Sequence, residues 1–374
     1  MIKRIIFWAH LVCGVATGLV IFWMSITGVI LTYERQILAW DANKYQVEYT
    51  ENQEKIPYQQ LLSTAQTQLK APITEMKVKR SEGAPVEFKA GRKEGVILNP
   101  YTGDVFNAAS PALVSFFRTV TGLHRWFNLS GDSRETGKII IGVSNLVFLF
   151  LILSGIYLWL PKVWRWGMLR IRILFIKMPT SRARDFNWHH VFSVWSFIPL
   201  IFIVATALVF SFSWANKAVF SVFGEELPPR SAFAFSYNQP VDNPEGVSPL
   251  AWSKLINNVE GYYPDWQTIS MAIPKAGSSV FTVDQGNGGQ PHLRDKIVLN
   301  NYTGDVLAKQ RFSDLSAGIQ TRSIIRFLHT GEALGWIGQT IAGLASLAAL
   351  FLVWTGLALS YRRLIQPLFI AKSS

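Results

Sequence analysis

The sequence predicts an α-helical membrane protein, with four transmembrane helices and two small α+β domains outside the bilayer, laid out as an internal duplication. Three observations carry that expectation. The chain is 49% hydrophobic and only 16% charged, against roughly 25% charged residues in a soluble domain. Four apolar stretches, 5–31, 139–160, 191–214 and 336–361, are each long enough to cross about 30 Å of hydrocarbon at about 1.5 Å per residue. Finally, VILNPYTGDVF at 96–106 returns as IVLNNYTGDVL at 297–307, 201 residues later.

Taken in order, residues 1–33 form the first transmembrane helix. The apolar run is too long for a signal-peptide core, and TYERQ rather than a small-residue cleavage site follows it. Residues 34–110 form the first outer domain. IPYQQLLSTAQTQL reads as an amphipathic helix, ITEMKVKR and APVEFKAG alternate as strands, and YTGDV turns at Gly103. Residues 111–161 hold an amphipathic segment, FFRTVTGLHRWF, and then the second span. Residues 162–187 form a basic loop and 188–214 the third span. The second outer domain, 215–318, repeats the plan with SPLAWSKLINNV, WQTISMAI, SSVFTVDQ and a turn at Gly304. The segment IIRFLHTGEALGW and the fourth span fill 319–363, and 364–374 is a tail.

Charge sets the orientation. Lys3 and Arg4, seven basic residues in 161–187, and Arg362, Arg363 and Lys372 make twelve cations against the single acid Asp185. The two long segments between spans are close to neutral, with 24 basic and 23 acidic residues. Basic residues collect on the cytoplasmic side, so both termini and the middle loop are expected inside. The net charge of +12 then reflects topology and anionic lipid rather than nucleic acid.

Cys13 is the only cysteine, which excludes a disulfide framework and cysteine-held zinc or iron–sulfur centres. The six histidines are informative. His10 and the pair His189/His190 stand where the first and third spans begin, on the inner side; His124 and His329 precede the second and fourth spans, on the outer side. His292 lies in the polar stretch GNGGQPHLRD and reads as a solvated loop residue. Histidine at an interface can be a simple anchor. Related helices bringing it to both leaflets suit a different use, because neutral imidazole is an axial ligand for haem iron. Gly14 and Gly18 follow His10 on one helical face and would admit a flat macrocycle, although glycine stripes also serve helix packing.

The repeat bears on the adjacent pair. At an offset of 179, His10 meets His189, Gly14 meets Ser193, Thr17 meets Ser196, Thr27 meets Thr206, Gly28 meets Ala207 and Thr32 meets Ser211. At 180, His10 meets His190, but Gly14 meets Val194 and Gly28 meets Leu208. Identities do not separate the two registers; the small residues favour His189. His190 then lies about 100° around the helix.

The ordered set FWAHLVCGVATGL with SITG, YTGDV, LHRWF, SGIYLWLPK, RDFNWHHVFSVWSFIPL and LVWTGLALSYRR resembles the PepSY-associated transmembrane family, in particular its inner-membrane ferrisiderophore (ferrioxamine-type) reductases. The resemblance covers essentially the whole chain. It implies four helices in the bacterial inner membrane, two PepSY-like periplasmic domains, and haem b on helix-borne histidines. It also implies electrons passing from the cytoplasmic side or the quinol pool to periplasmic ferric chelates. Relatives resemble NWH, a variable residue, then V in the third span, which maps the ligand onto His189. Ser193 departs from their glycine but stays small.

The expectation is therefore a dihaem b-type electron-transfer protein that reduces ferric-siderophore iron from Fe(III) to Fe(II). His10 and His189 would hold the inner haem, His124 and His329 the outer one. Arg118, Arg125 and Arg326 are outer partners for propionates, Arg4 and Arg184 inner ones, each with an ordinary alternative as an interfacial cation. No nucleotide fingerprint is present, since GNGG at 286–289 lacks the strand-to-helix context. The donor is thus quinol or a cytoplasmic reductase. Two other readings stand beside this one: an iron-chelate permease or binding protein without haem, and a membrane-anchored PepSY regulatory module.

Overall fold

The computed structural model describes residues 1–42, 47, 53–91, 94–106, 110–229, 233, 235, 237, 239–241, 246–274 and 277–370. Lys372, counted above among the tail cations, lies outside them. In chain order the helices and strands are α1 Ile2–Leu31, α2 Glu34–Ala42, α3 Tyr58–Gln68, β1 Glu75–Lys79, β2 Val86–Ala90, β3 Glu94–Leu98, β4 Val105–Phe106, α4 Pro111–Trp126, α5 Ser133–Trp159, α6 Trp166–Ile173, α7 Ser181–Ser211, α8 Ser213–Ser221, α9 Trp252–Tyr262, β5 Thr268–Ala272, β6 Ser278–Asp284, β7 Arg294–Asn300, β8 Val306–Gln310, α10 Ala317–His329, α11 Gly335–Leu364 and α12 Gln366–Ile370. They divide between two compact units.

The first unit comprises Met1–Glu34, Ser115–Val222 and Ile325–Ser374. Among the described residues four helical stretches are long and apolar enough to span a membrane: Ile2–Asp41, Ser133–Trp159, Ser181–Ser211 and Glu332–Phe369. They pack in a ring, α1 on α5, α5 on α7, α7 on α11 and α11 back on α1. Large apolar side chains such as Leu19, Trp195, Ile198, Leu344 and Trp354 point outward and are exposed, as lipid-facing residues must be. Inside the ring, Ile152, Leu200, Val204, Ala345 and Ala349 form a packed apolar layer with Phe148, Phe197 and Leu352 around it. Pro199 sits within α7, a position membrane helices tolerate.

The third helix departs from expectation. It starts at Ser181, capped by the Thr180 hydroxyl accepting from the Ala183 N–H, rather than near residue 188. Part of the expected basic loop 162–187 is thus helical, α6 included. Hydropathy marks only the part of a helix that meets hydrocarbon; the cap and the polar first turns extend it without changing that signal. His189 and His190 consequently lie two turns inside the helix instead of at its start.

Two sharp turns deliver the short helices α4 and α10 to the spans that follow. Phe127 and Asn128 both adopt φ of 55°, and the Asn128 N–H donates to the Gly122 carbonyl at 2.9 Å. After α10, Gly331 takes φ of 77°, and a Cβ there would stand 2.3 Å from the Gly338 carbonyl oxygen. Only glycine fits that crossing.

The second unit comprises Arg35–Val114 and Phe223–Ile324. Its strands form one antiparallel sheet in the order β4-β3-β2-β1-β5-β6-β7-β8. Two separate small domains were expected; instead β1 and β5 pair from Glu75↔Ala272 to Lys79↔Thr268, so both segments share one sheet and one core. Both YTGDV turns form as expected, with φ of 76° at Gly103 and 80° at Gly304. In each an asparagine side chain, Asn99 or Asn300, accepts from the N–H groups two and three residues on. The strands alternate: Met76, Phe88, Leu98, Met271, Phe281 and Leu299 point to the face covered by Leu61 of α3 and Leu255 and Val259 of α9. Phe281 is fully buried at the middle of β6. Phe281→Ala should destabilise this unit by about 3–5 kcal/mol, read as a lowered unfolding midpoint in denaturant.

Candidate functional site

The four histidines expected as ligands all fall in the membrane unit, and each is held the same way by a neighbouring span. His10 on α1 places Nδ1 2.8 Å from the Ser154 hydroxyl on α5. His189 on α7 places Nδ1 2.9 Å from the Thr355 hydroxyl on α11. His124 on α4 reaches the Thr27 hydroxyl of α1 at 2.9 Å. His329 on α10 reaches the Thr206 hydroxyl of α7 at 3.2 Å and the Ile203 carbonyl at 2.9 Å. With Nδ1 engaged in every case, Nε2 is the ring atom left to meet a ligand.

Small residues stand beside each hydroxyl. A Cβ on Gly155 or Gly356 would lie 3.4 Å from Cε1 of His10 or His189, and one on Gly28 would lie 3.7 Å from Cε1 of His124. Ala207 occupies the corresponding place after Thr206. The rings of His10, His124 and His189 therefore press against helix backbone, which fixes their orientation.

The histidines form two layers. Thr27 follows His10 by seventeen residues on α1, and Thr206 follows His189 by seventeen on α7, so the layers stand about 25 Å apart along the helices at 1.5 Å per residue. In the outer layer the rings of His124 and His329 lie 6.4 Å apart, centroid to centroid. A metal–imidazole bond is about 2 Å long, so two imidazoles on opposite sides of one metal ion have centroids about 6–6.5 Å apart. Burial lowers the pKa of both rings, His124 to about 4, which keeps them in the neutral, ligating form.

In the inner layer His10 and His189 line one cavity of about 1240 Å³ together with Gly14, Gly18 and Ser193. That volume exceeds the roughly 300–1,000 Å³ of most small-molecule sites and admits a large planar group. Among the described residues, all charged residues lining it are cations: Lys3, Arg4, Lys162, Arg172, Arg182 and Arg363. Such a lining suits an apolar molecule that carries carboxylates. His190 also lines the cavity, but its Nδ1 lies 2.9 Å from the Phe186 carbonyl of its own helix and its ring packs, tilted by 37°, against that of Phe186 at 4.1 Å.

The residues present fit a macrocycle better than a bare ion. Among the described residues no group of three or more His, Cys, Asp or Glu converges on a point, and protein-held transition metals ordinarily take three or four such ligands. A haem brings four nitrogens of its own and asks the chain for one or two.

The family model for the PepSY-associated TM region matches residues 7–363. The chain belongs to the PepSY-associated transmembrane family. No curated protein matches it.

In this PepSY-associated transmembrane protein the expected arginines separate. Arg125 and Arg326 are brought together with Arg134, a residue the sequence did not single out: partial burial and these two positive neighbours lower the Arg125 guanidinium from its ordinary value. Arg125 and Arg134 both stack on Trp126, at 5.2 and 4.3 Å. Arg118 is exposed two turns earlier on α4. Arg4 lines the inner cavity. Arg184 does not; it pairs with Asp185 at 2.9 Å and stacks on Trp188, because Asp185, the next residue, is buried and requires a counter-charge. Arg363, over the rings of Phe7 and Trp8, is the inner cation that charge counting assigned to topology alone. His292 is exposed in a short 3-10 turn, Pro291–Leu293, as expected of a loop residue.

Sequence reasoning also missed the hydroxyls. Thr27, Ser154, Thr206 and Thr355 were legible as one signal: every span carries a Ser or Thr followed by a Gly or Ala, at 27–28, 154–155, 206–207 and 355–356.

Proposed function

We propose that the protein is a dihaem b-type transmembrane reductase, passing electrons from the cytoplasmic side of the bacterial inner membrane to the iron of ferric siderophores in the periplasm. One observation carries the reading: four histidines in two layers, each with Nδ1 tied to a hydroxyl of a neighbouring span and Nε2 left for a metal. The equal spacing of histidine and hydroxyl on α1 and α7, and the two YTGDV turns, support a doubled unit with its sheet-bearing segments in the periplasm. When bound, haem b supplies a one-electron Fe(III)/Fe(II) couple.

The chain's own residues do the rest. His10 and His189 hold the inner group, and Arg4 and Arg363 are placed to meet its carboxylates. His124 and His329 hold the outer group, beside the cations Arg125, Arg134 and Arg326. The apolar layer of Ile152, Leu200, Val204 and Ala349 keeps the two sites apart and excludes water between them. The electron donor is a quinol or a cytoplasmic reductase. Ferric siderophore is the substrate: one electron converts its Fe(III) to Fe(II), which hard oxygen ligands hold less well, so iron release needs no acid–base group from the protein.

The visible spectrum of the purified full chain tests this. Dithionite should bring up the α-band of low-spin b-type haem at two haems per chain, and His10→Ala or His329→Ala should each remove one. The dithionite-reduced protein should then reduce a ferric siderophore, trapped as an Fe(II) chelate. Folded but colourless protein, after expression with haem supplied, would sink the proposal and return the permease and anchor readings.

A further inference from the structure

We infer that Thr27, Ser154, Thr206 and Thr355 are positioning residues that set the tautomer and donor strength of the four haem-ligand histidines; the inference rests on the haem reading above. A hydroxyl has one proton to give. Here that proton is already committed: Thr27 donates to the Trp23 carbonyl at 2.8 Å, Ser154 to Phe150 at 2.6 Å, Thr206 to Phe202 at 2.5 Å and Thr355 to Phe351 at 2.6 Å. Back-bonding of this kind is common for Ser and Thr within helices. What is uncommon is a histidine from another helix within 2.8–3.2 Å of the same oxygen, four times over.

With its proton spent, each oxygen can only accept. The imidazole facing it must therefore carry its proton on Nδ1 and its lone pair on Nε2. A freely rotating hydroxyl would accept either tautomer; these four favour the ligating one before any metal arrives, and at His329 the Ile203 carbonyl, nearer at 2.9 Å, makes the same selection. The acceptor also draws on the Nδ1–H bond and makes Nε2 a stronger donor, as outer partners of metal-bound histidine do. Gly28, Gly155, Ala207 and Gly356 follow the four hydroxyls in sequence. They let the rings approach near enough to reach them.

Thr355→Val keeps the shape and removes the acceptor, and Thr355→Ser keeps the acceptor. In the full chain carrying haem, Thr355→Val should raise the midpoint potential of the inner haem, alter its ferric EPR signature, and weaken its retention about 10–100-fold. The outer haem should be unchanged, and Thr355→Ser should restore wild-type values. In the haem-free chain, 15N NMR of the histidines should show His189 losing its Nδ1–H tautomer in the Val variant alone. If Thr355→Val leaves potential, EPR and tautomer as in wild type, the inference is wrong while the haem reading stands. If the outer haem shifts instead, the assignment of Thr355 to His189 is wrong. Wild-type protein without haem would overturn the reading itself, whereas the tautomer measurement would still decide the role of the hydroxyl.

Discussion

His189→Ala should lose the inner haem and fall to half the wild-type haem content, whereas His190→Ala should keep both haems. The two residues are adjacent and similar in sequence terms, but their surroundings differ. His189 reaches across to Thr355 on α11 at 2.9 Å, with Gly356 against its Cε1. His190 bonds back to the Phe186 carbonyl and packs against the Phe186 ring within its own helix, so its removal costs a surface contact in the cavity wall. Haem content per chain by pyridine haemochrome and the reduced spectrum check both variants. Loss on His190→Ala with retention on His189→Ala would reverse the assignment.

Asp185→Ala should destabilise the membrane unit by about 2–3 kcal/mol. Asp185 is buried and accepts from Arg184 at 2.9 Å and from Arg362 of α11 at 2.5 Å, so it ties α7 to α11 one turn from His189. Breaking a buried ion pair costs about 3–5 kcal/mol; the figure is reduced here because both arginines retain contact with solvent. Thermal unfolding in detergent should show a lower midpoint, and the inner haem should be released on heating before the outer one. An unchanged midpoint would mean that the pair is effectively solvated.

Much of this was legible because the signals are local. Hydropathy finds the spans, alternation finds β1, β2, β5 and β6, and the repeated YTGDV finds both turns. The histidine layers follow once the spans are drawn. Other features left no such mark. Pairing of β1 with β5 joins segments almost two hundred residues apart through backbone groups every strand possesses, so nothing in Glu75–Lys79 distinguishes a shared sheet from two separate ones. The start of α7 at Ser181 depends on a cap at Thr180 and on polar turns that hydropathy cannot weigh. Thr27 and Ser154 look like any back-bonded hydroxyl in a membrane helix until the facing histidine is placed. Arg184 and Arg363 exchanged roles for a similar reason: the nearest carboxylate, Asp185, claims the first, and only packing reveals that the second lies at the cavity.

The apolar layer between the two histidine levels has an electrical consequence. The side chains of Ile152, Leu200, Val204, Ala345 and Ala349 are apolar, and the buried Asn145 amide beside them is committed to the Val204 carbonyl at 3.0 Å, so on the function proposed above an electron crossing that layer would travel without a compensating proton. Moving one charge across the full membrane is worth about 2.3 kcal/mol per 100 mV. On that function, each turnover would thus be electrogenic, and a membrane potential negative inside would push the electron outward, toward the side where iron would be reduced.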